Sequence, residues 1–421
     1  MRNTKLQNLL ETAEKIEHNL NEKGIFSRIE KIAFQNQIKV MNAFQKFRVS
    51  DTHFAGTTGY GYDDRGREVL DKLYAELFEC ESAFVRHSIV SGTHALCIGL
   101  FGLLRPNDTM LSITGKPYDT LEEVIGLRGN RGNGSLADFG VNYKQIDLKN
   151  GSVNLDCVDR VLKEDKNIKV VFLQRSKGYS IRPTFCASQI GEIADFVHSR
   201  NKDVFVVVDN CYGEFSEEHE PTFYGADLII GSLIKNPGGG MAESGAYIAG
   251  TAKAVELCSY RLTSPGVGCE VGASLGQNKN MIKGLFYAPH TVCEAIKTAV
   301  FAAALFEEMG YEVYPKAEEP RYDIIQTISL GSKEKLLSFC KGIQSGSPID
   351  SHVVPEGWDM PGYAVPVVMA AGAFTQGASI ELSADAPVIP PYTVYLQGGL
   401  TYQSGKLGVL YAANCITESG D

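Results

Sequence analysis

The chain has 421 residues, of which 44% are hydrophobic and 21% are charged, a composition typical of a soluble globular protein with room for two domains. Its net charge of −10 disfavours a nucleic-acid partner, because a phosphate backbone binds basic surfaces, and gives no reason to expect binding to an anionic membrane. No stretch reaches the roughly 20 apolar residues of a membrane-spanning helix.

The cysteines predict a reduced, metal-free protein. All ten are spread singly along the chain, without the paired spacing of a zinc site. The N-terminal stretch carries charges throughout and lacks the apolar core of a signal peptide. We therefore expect free thiols and a cytoplasmic location.

The chain opens with a predicted amphipathic helix, because apolar residues recur at helical spacing over residues 3–21, and a second helix is predicted over residues 27–47. We expect residues 1–50 to form a helical arm that packs on the small domain or on a neighbouring subunit. A segment rich in glycine and tyrosine follows, with Tyr60, Tyr62 and Arg65, before a helix predicted over residues 68–79.

An apolar run ending at residues 89–90 leads into Ser91, Gly92 and Thr93 and then a predicted helix over residues 96–104. Small residues between a strand and a helix expose backbone N–H groups at the positive end of the helix dipole, which suits a phosphate. We predict that Gly92 and Thr93 bind a phosphate, while an ordinary helix cap is the alternative interpretation.

Two further strands are predicted over residues 110–114 and 170–173. The first is followed by Tyr118, whose aromatic face can stack on a planar ring. The second is followed by Arg175 and Arg182 in a loop of small residues. Since guanidinium groups bind carboxylates through two hydrogen bonds, these arginines are candidates for a substrate carboxylate, or else two solvated charges.

The strongest signal lies between residues 204 and 240. Two β-branched runs, 204–208 and 228–230, predict buried strands of a parallel sheet. Asp209 ends the first run, and Ser232 and Lys235 follow the second, so all three are expected at the carboxyl edge of the sheet, where ligands bind. A pyridoxal phosphate enzyme needs such a pair: the lysine forms a Schiff base with the cofactor, and the carboxylate keeps the pyridine nitrogen protonated.

This order of strand, Asp209, strand, Ser232 and Lys235 resembles the fold type I pyridoxal phosphate enzymes of cysteine and methionine metabolism. The sequence is most similar to that of the aluminium resistance protein family, whose members are cystathionine β-lyase-like. The resemblance implies an α/β fold: a large domain over residues 51–290 with a mainly parallel, seven-stranded sheet flanked by helices, and a smaller α+β domain over residues 291–421. A long helix predicted over residues 286–309 connects them.

The resemblance further implies a carbon–sulfur lyase that acts on a sulfur-containing amino acid, by β elimination as in cystathionine β-lyases or γ elimination as in methionine γ-lyases. Lys235, Asp209 and Tyr118 would be its catalytic residues, with Tyr118 also stacked on the cofactor ring. A homodimer or homotetramer with a shared active site is implied, in which Tyr60 or Tyr62, with Arg65, completes the phosphate site of the partner.

One feature departs from the lyase pattern. Those enzymes fix the substrate carboxylate with an arginine of the C-terminal domain, but no arginine follows Arg321 here, which leaves Arg175 and Arg182 as candidates. An aminotransferase or aldolase of the same fold, or a non-catalytic resistance protein that retains the cofactor, are the alternatives. A dinucleotide-binding fold is disfavoured, because Ser91 to Ala95 does not supply Gly-x-Gly-x-x-Gly.

Overall fold

The architecture was determined from a computed structural model, in which residues 4–360, 363 and 365–419 are described. Two lobes, each built on one β-sheet, are joined by a long helix. The helices are α1 (Thr4–Glu22), α2 (Ile25–Lys46), α3 (Arg65–Leu77), α4 (Gly92–Leu103), α5 (Asp119–Ile125), α6 (Leu155–Glu164), α7 (Ala187–Arg200), α8 (Ala252–Leu262), α9 (Asn278–Glu308), α10 (Lys333–Ser345) and α11 (Tyr402–Ser419). The strands are β1 (Ser82–Arg86), β2 (Thr109–Ser112), β3 (Asn142–Gln145), β4 (Ile168–Gln174), β5 (Phe205–Asp209), β6 (Leu228–Ser232), β7 (Ala246–Gly250), β8 (Glu312–Tyr314), β9 (Gln326–Ser329), β10 (Gly357–Trp358), β11 (Val367–Ala371), β12 (Ser383–Pro387) and β13 (Thr393–Gln397).

The large lobe contains a seven-stranded sheet in the order β1-β7-β6-β5-β4-β2-β3. Strands β2 to β6 pair in parallel, and β7 is antiparallel to both of its neighbours, β1 and β6. All five residues of β5 and all five of β6 are buried, as expected for central strands covered on both faces. The predicted α/β fold with a mainly parallel, seven-stranded sheet is confirmed.

The two faces of this sheet pack into two different apolar cores. Along β5, Val206 and Val208 belong to one core and Phe205 and Val207 to the other, because successive side chains of a strand point to opposite faces. Helices α3, α7 and α9 cover the first face, and α4 and α8 cover the second. This double covering rigidly fixes the strand ends, from which the candidate site is built.

The C-terminal lobe contains a six-stranded antiparallel sheet in the order β10-β11-β12-β13-β9-β8. Helix α9, 31 residues long, connects the lobes, so the domain boundary predicted at residue 290 falls inside a helix that begins before it. At the N-terminus, α1 packs on the C-terminal lobe, where Glu17 accepts hydrogen bonds from Tyr402 Oη at 2.7 Å and Lys406 Nζ at 2.5 Å.

Three general features bear on the class of protein. None of the helices within residues 4–419 that the structure describes is both long and apolar enough to cross a membrane. All ten cysteines are free thiols. Among the described residues, no three His, Cys, Asp or Glu side chains are grouped so that they could hold a metal ion.

Candidate active site

The carboxyl ends of β5 and β6 meet at one edge of the large sheet. Asp209, the last residue of β5, pairs in register with Ile230 of β6 and with Gln174 of β4. Lys235 follows three residues after the end of β6. A cavity of about 260 Å³ opens at this edge, and its lining includes six of the residues predicted from the sequence: Gly92, Thr93, Tyr118, Asp209, Ser232 and Lys235.

The N-terminus of α4 lines this cavity. Ser91 caps the helix, its Oγ accepting a hydrogen bond from the backbone N–H of His94 at 3.1 Å. The N–H groups of Gly92 and Thr93, at the first two helical positions, have no acceptor within the helix. A Cβ on Gly92 would lie 3.4 Å from Cys211 Sγ and 3.6 Å from Ser232 Cβ, so the glycine keeps its backbone open toward the strand ends. This arrangement fits a phosphate dianion.

The chain reaches α4 differently from the sequence prediction. The apolar run ending at residues 89–90 was predicted as the strand before the phosphate site. Strand β1 instead ends at Arg86, and Ile89 is buried in the turn that follows while Val90 is exposed. Ile89 is buried although it does not pair in a strand. An apolar run can therefore resemble a strand in the sequence without forming one.

Lys235 faces an aromatic ring that the sequence analysis missed. Its Nζ lies 3.9 Å from the ring centroid of Tyr212, which also lines the cavity. Tyr212 has a φ of 74°, in the left-handed region that bulky side chains rarely adopt. The sequence offered one signal that Tyr212 lines the cavity. It lies three residues after Asp209, and the loop that follows a strand at this edge also faces the cavity.

The charges of Asp209 and Lys235 are coupled. Burial raises the pKa of the Asp209 carboxyl, while the nearby Lys235 ammonium and a hydrogen bond from Cys211 N–H, at 3.2 Å, act in the opposite direction. Burial lowers the pKa of Lys235, but Cys211, Tyr212 and Asp209 outweigh it, so that pKa is raised. Asp209 is therefore a desolvated carboxylate that gains from a cationic partner, as a protonated pyridine nitrogen would be.

Tyr118 connects the two lobes at the cavity. It lies directly before α5, and its Oη is 2.8 Å from Oη of Tyr363 in the C-terminal lobe. Its ring also contacts Tyr179, at 5.6 Å between centroids. Burial, with contributions from Tyr363 and Asp385, raises the pKa of Tyr118 well above that of a free tyrosine. Tyr118 therefore holds its proton at neutral pH.

The C-terminal lobe supplies further lining residues that were not predicted, among them Ser383, Asp385 and Gln397. Oδ2 of Asp385 accepts hydrogen bonds from Tyr179 Oη at 3.1 Å and from Gln397 Nε2 at 3.0 Å. These residues lie within antiparallel strands, where no sequence motif marks them.

The prediction that Arg175 binds the substrate carboxylate is wrong. Its side chain is fully buried beneath β5 and does not line the cavity. The guanidinium donates to Glu217 at 2.5 Å, to Glu220 at 3.0 Å, to Asn210 at 2.7 Å and to the carbonyl oxygen of Phe185 at 3.3 Å. These four bonds use four of the five N–H donors of the guanidinium inside the protein.

Arg182 has a different position. It donates to the backbone carbonyl oxygens of Pro183 and Gln174, each at 2.8 Å, and also to that of Ser176. It lines a neighbouring cavity together with Tyr179, and burial lowers its pKa to about 10. The structure thus gives Arg182 a role in shaping the loop after β4, and its contact with substrate stays a prediction.

Tyr60 and Tyr62 do not line the cavity of their own chain. They are 74% and 62% exposed, and their rings lie 5.6 Å apart. Arg65, the first residue of α3, is exposed as well. Their predicted contribution to a partner's phosphate site stays a prediction.

Comparison with known proteins identifies the family. Residues 9–417 match the sequence model described as methionine gamma-lyase. The chain is 50% identical over 411 residues to the protein YnbB of Bacillus subtilis, and the alignment covers 97% of each chain. A crystal structure from Clostridium novyi NT, described as a carbon-sulfur lyase involved in aluminum resistance, is 51% identical, with a TM-score of 0.93 and coverage of 97% of this chain and 96% of that chain.

A more distant likeness concerns the fold alone. The pyridoxal-5'-phosphate dependent protein YhfS of Escherichia coli is 14% identical, with a TM-score of 0.62 over 92% of this chain and 96% of that chain. The match of the family model over almost the whole chain, together with relatives near 50% identity, gives the assignment. The chain belongs to the methionine gamma-lyase family.

Proposed function

We propose that this protein is a pyridoxal phosphate-dependent carbon–sulfur lyase that acts on a sulfur-containing amino acid. The observation that carries the proposal is the meeting of Lys235, Asp209 and the free N-terminus of α4 in one cavity. Family membership and the carbon-sulfur lyase described from Clostridium novyi support the same class of reaction.

The residues present fit the cofactor. Gly92 and Thr93 would hold its phosphate through their backbone N–H groups, with Ser232 Oγ beside them. Asp209 would face the pyridine nitrogen, Tyr118 would contact the ring, and Lys235 would carry the aldehyde carbon. When bound, the cofactor supplies an electron-withdrawing ring that stabilises negative charge at the substrate α-carbon.

Lys235 and Tyr118 would move the protons. The Lys235 amine, whose Nζ lies over the ring of Tyr212, would act as the general base for the substrate α-proton once it is no longer joined to the cofactor. Tyr118 retains its proton at neutral pH and is the candidate acid for a thiolate leaving group. β elimination needs only these two transfers, whereas γ elimination needs a further proton transfer by the same groups.

The test of this proposal combines a spectrum with an assay. Purified protein is expected to show the visible absorbance of a bound pyridoxal cofactor and to release thiol and a keto acid from cystathionine or a cysteine thioether. Lys235→Ala is expected to lose the band and at least about 1,000-fold in kcat, because one residue is both the attachment point and the base. Lys333→Ala, an exposed lysine of α10, is the control.

Either of two results would contradict the proposal. The first is a Lys235→Ala variant that keeps the band and the activity. The second is a reaction of wild-type enzyme that requires a keto-acid acceptor, which would indicate an aminotransferase.

We also propose that the protein works in the cytoplasm as a homodimer or homotetramer whose sites are shared. The exposed Tyr60 and Tyr62 support this, since they lie outside their own cavity. Mixing Lys235→Ala chains with chains that carry alanine at both tyrosines tests it. If a partner's tyrosines complete each site, hybrid dimers regain one intact site and roughly a quarter of the activity returns. No recovery after subunit exchange would exclude a shared site.

A further inference from the structure

When the residues with a role in cofactor binding are set aside, the lining of the cavity contains one further charged side chain, a carboxylate. Asp209, Lys235 and Asp385 are the only Asp, Glu, Lys or Arg side chains among its described lining residues. Asp209 and Lys235 have roles in cofactor binding under the proposed function. Asp385 remains as a carboxylate on β12; burial raises its pKa, while its hydrogen bonds and the Lys235 ammonium, which the proposed function commits to the cofactor, act in the opposite direction.

Asp385 lines the cavity, and only one of its two oxygens accepts hydrogen bonds from described residues. Tyr179 and Gln397 both donate to Oδ2, and no described residue donates a hydrogen bond to Oδ1. Ser383 lies two residues earlier on the same strand, β12, and therefore on the same face. Its buried hydroxyl has no hydrogen-bond partner within the described part of the chain. A ligand that donates hydrogen bonds would satisfy both groups at once.

A cluster of tyrosine rings adjoins this carboxylate through Tyr179. Tyr179, which bonds to Asp385, lies 5.6 Å from Tyr118, 5.8 Å from Tyr363 and 5.1 Å from Tyr395, measured between ring centroids. A carboxylate among tyrosine rings attracts a cation twice, through its charge and through the negative faces of the rings. The same surroundings disfavour a substrate carboxylate, because two like charges would face each other in a poorly solvated space.

We infer that Asp385, Ser383 and the adjoining tyrosines bind a cationic group on the part of the substrate beyond its sulfur atom. The substrate class is then an amino acid thioether that carries a second, ammonium-type group. This inference rests on the proposed function, because the α-amine of the substrate is committed to the cofactor at Lys235 and cannot also occupy Asp385.

Two cysteine thioethers of equal size test the inference. S-(2-aminoethyl)cysteine and S-propylcysteine differ only by an ammonium group in place of a methyl group. Holoenzyme is expected to bind the first more tightly by about 10- to 100-fold, as a hydrogen bond to a charged group contributes. Calorimetry gives the two dissociation constants, and thiol release gives the corresponding ratio of kcat/KM.

Asp385→Asn removes the charge at almost constant size. Its ratio of affinities for the two thioethers is expected to fall to about 1–3. Asp359→Asn, at an exposed position of the same lobe, is expected to keep the wild-type ratio. The cofactor absorbance of each variant shows whether its site has assembled.

The possible failures are distinguishable. Equal affinity of wild-type enzyme for both thioethers, or an unchanged ratio in Asp385→Asn, would overturn the cation site even if thiol is released. A clear preference for the aminoethyl compound in calorimetry, without thiol release from either compound, would uphold the cation site and overturn the lyase proposal.

Discussion

Two charged clusters lie at the same edge of the large sheet, and two consecutive residues at the end of β5 contribute to one cluster each. Asp209 belongs to the cluster in the cavity, with Lys235, and Asn210 belongs to the cluster beneath it, with Arg175. In the cavity, Lys235 Nζ lies over the face of Tyr212, and Cys211 and Asp209 also act on its charge. Below, the Arg175 guanidinium makes bonds to four partners.

The difference separates a site from a scaffold. Both clusters contain buried charges near the carboxyl ends of β4 and β5, so position alone does not identify a ligand site. A closed cluster such as that of Arg175 stabilises the loops that it connects, because its charged groups are hydrogen-bonded to one another. An open cluster such as that of Asp209 and Lys235 retains groups that a ligand can satisfy. Substitutions in the two clusters should therefore affect different measurements.

The largest expected effect is on stability, in the closed cluster. Arg175→Gln leaves the buried Glu220 and the partly buried Glu217 without their guanidinium, which is expected to destabilise the protein by about 3–5 kcal/mol. Denaturant unfolding measures the loss, and kcat per cofactor-loaded molecule is expected to stay within about threefold of wild type. An increased KM with unchanged stability would indicate that Arg175 binds the substrate. That result would contradict the assignment of Arg175 to a closed, structural cluster.

In the open cluster the expected effect is on rate. Asp209→Asn keeps the size of the side chain and removes its charge, so a pyridine nitrogen loses the carboxylate that keeps it protonated. We expect kcat to fall about 100- to 1,000-fold, as for removal of other electrostatic groups from active sites, with little change in unfolding free energy. Kinetics on enzyme that is fully loaded with cofactor, as checked by its absorbance, distinguish a lower kcat from loss of the cofactor. A stability loss as large as that of Arg175→Gln would mean that Asp209 is a scaffold residue.

These clusters also show which features were readable from the sequence. Asp209, Ser232 and Lys235 were predictable because parallel strands place their carboxyl ends at one edge, so position along the chain fixes position in space. The role of Arg175 was not, because its partners Glu217 and Glu220 lie more than 40 residues further along the chain and no local pattern links them.

The wall formed by the C-terminal lobe was not predictable for a different reason. Asp385 lies in the middle of an antiparallel pairing, opposite Met369 and Tyr395. Along such a strand alternate residues face each side, and nothing in the sequence states which side meets a cavity that belongs mainly to the other lobe. Only the packing of the two lobes brings Asp385 to Tyr179.

The smallest expected effect concerns Asp64, which is the shared acceptor in a second closed cluster. This cluster lies next to the segment that contains Tyr60 and Tyr62. Asp64 is 1% exposed and accepts hydrogen bonds from Arg67 N–H at 2.9 Å, Asn278 at 2.9 Å, Ser274 at 2.5 Å and Thr57. Burial alone would raise the pKa of Asp64, but these bonds, led by that of Ser274, lower it to about 2.

A depressed pKa means that the folded state favours the ionised carboxylate, so the contribution of Asp64 to stability is complete above the ordinary pKa of 3.8 and disappears as the pH falls through about 2. The shift corresponds to about 2 kcal/mol. Asp64→Asn should lower the unfolding free energy by about this amount at neutral pH, and the gap between variant and wild type should narrow from about pH 4 to pH 2. Urea unfolding at several pH values measures the gap. A gap that stays constant with pH would show that the hydrogen bonds hold Asp64 by shape alone and that its charge, unlike those around Arg175, contributes nothing to the scaffold.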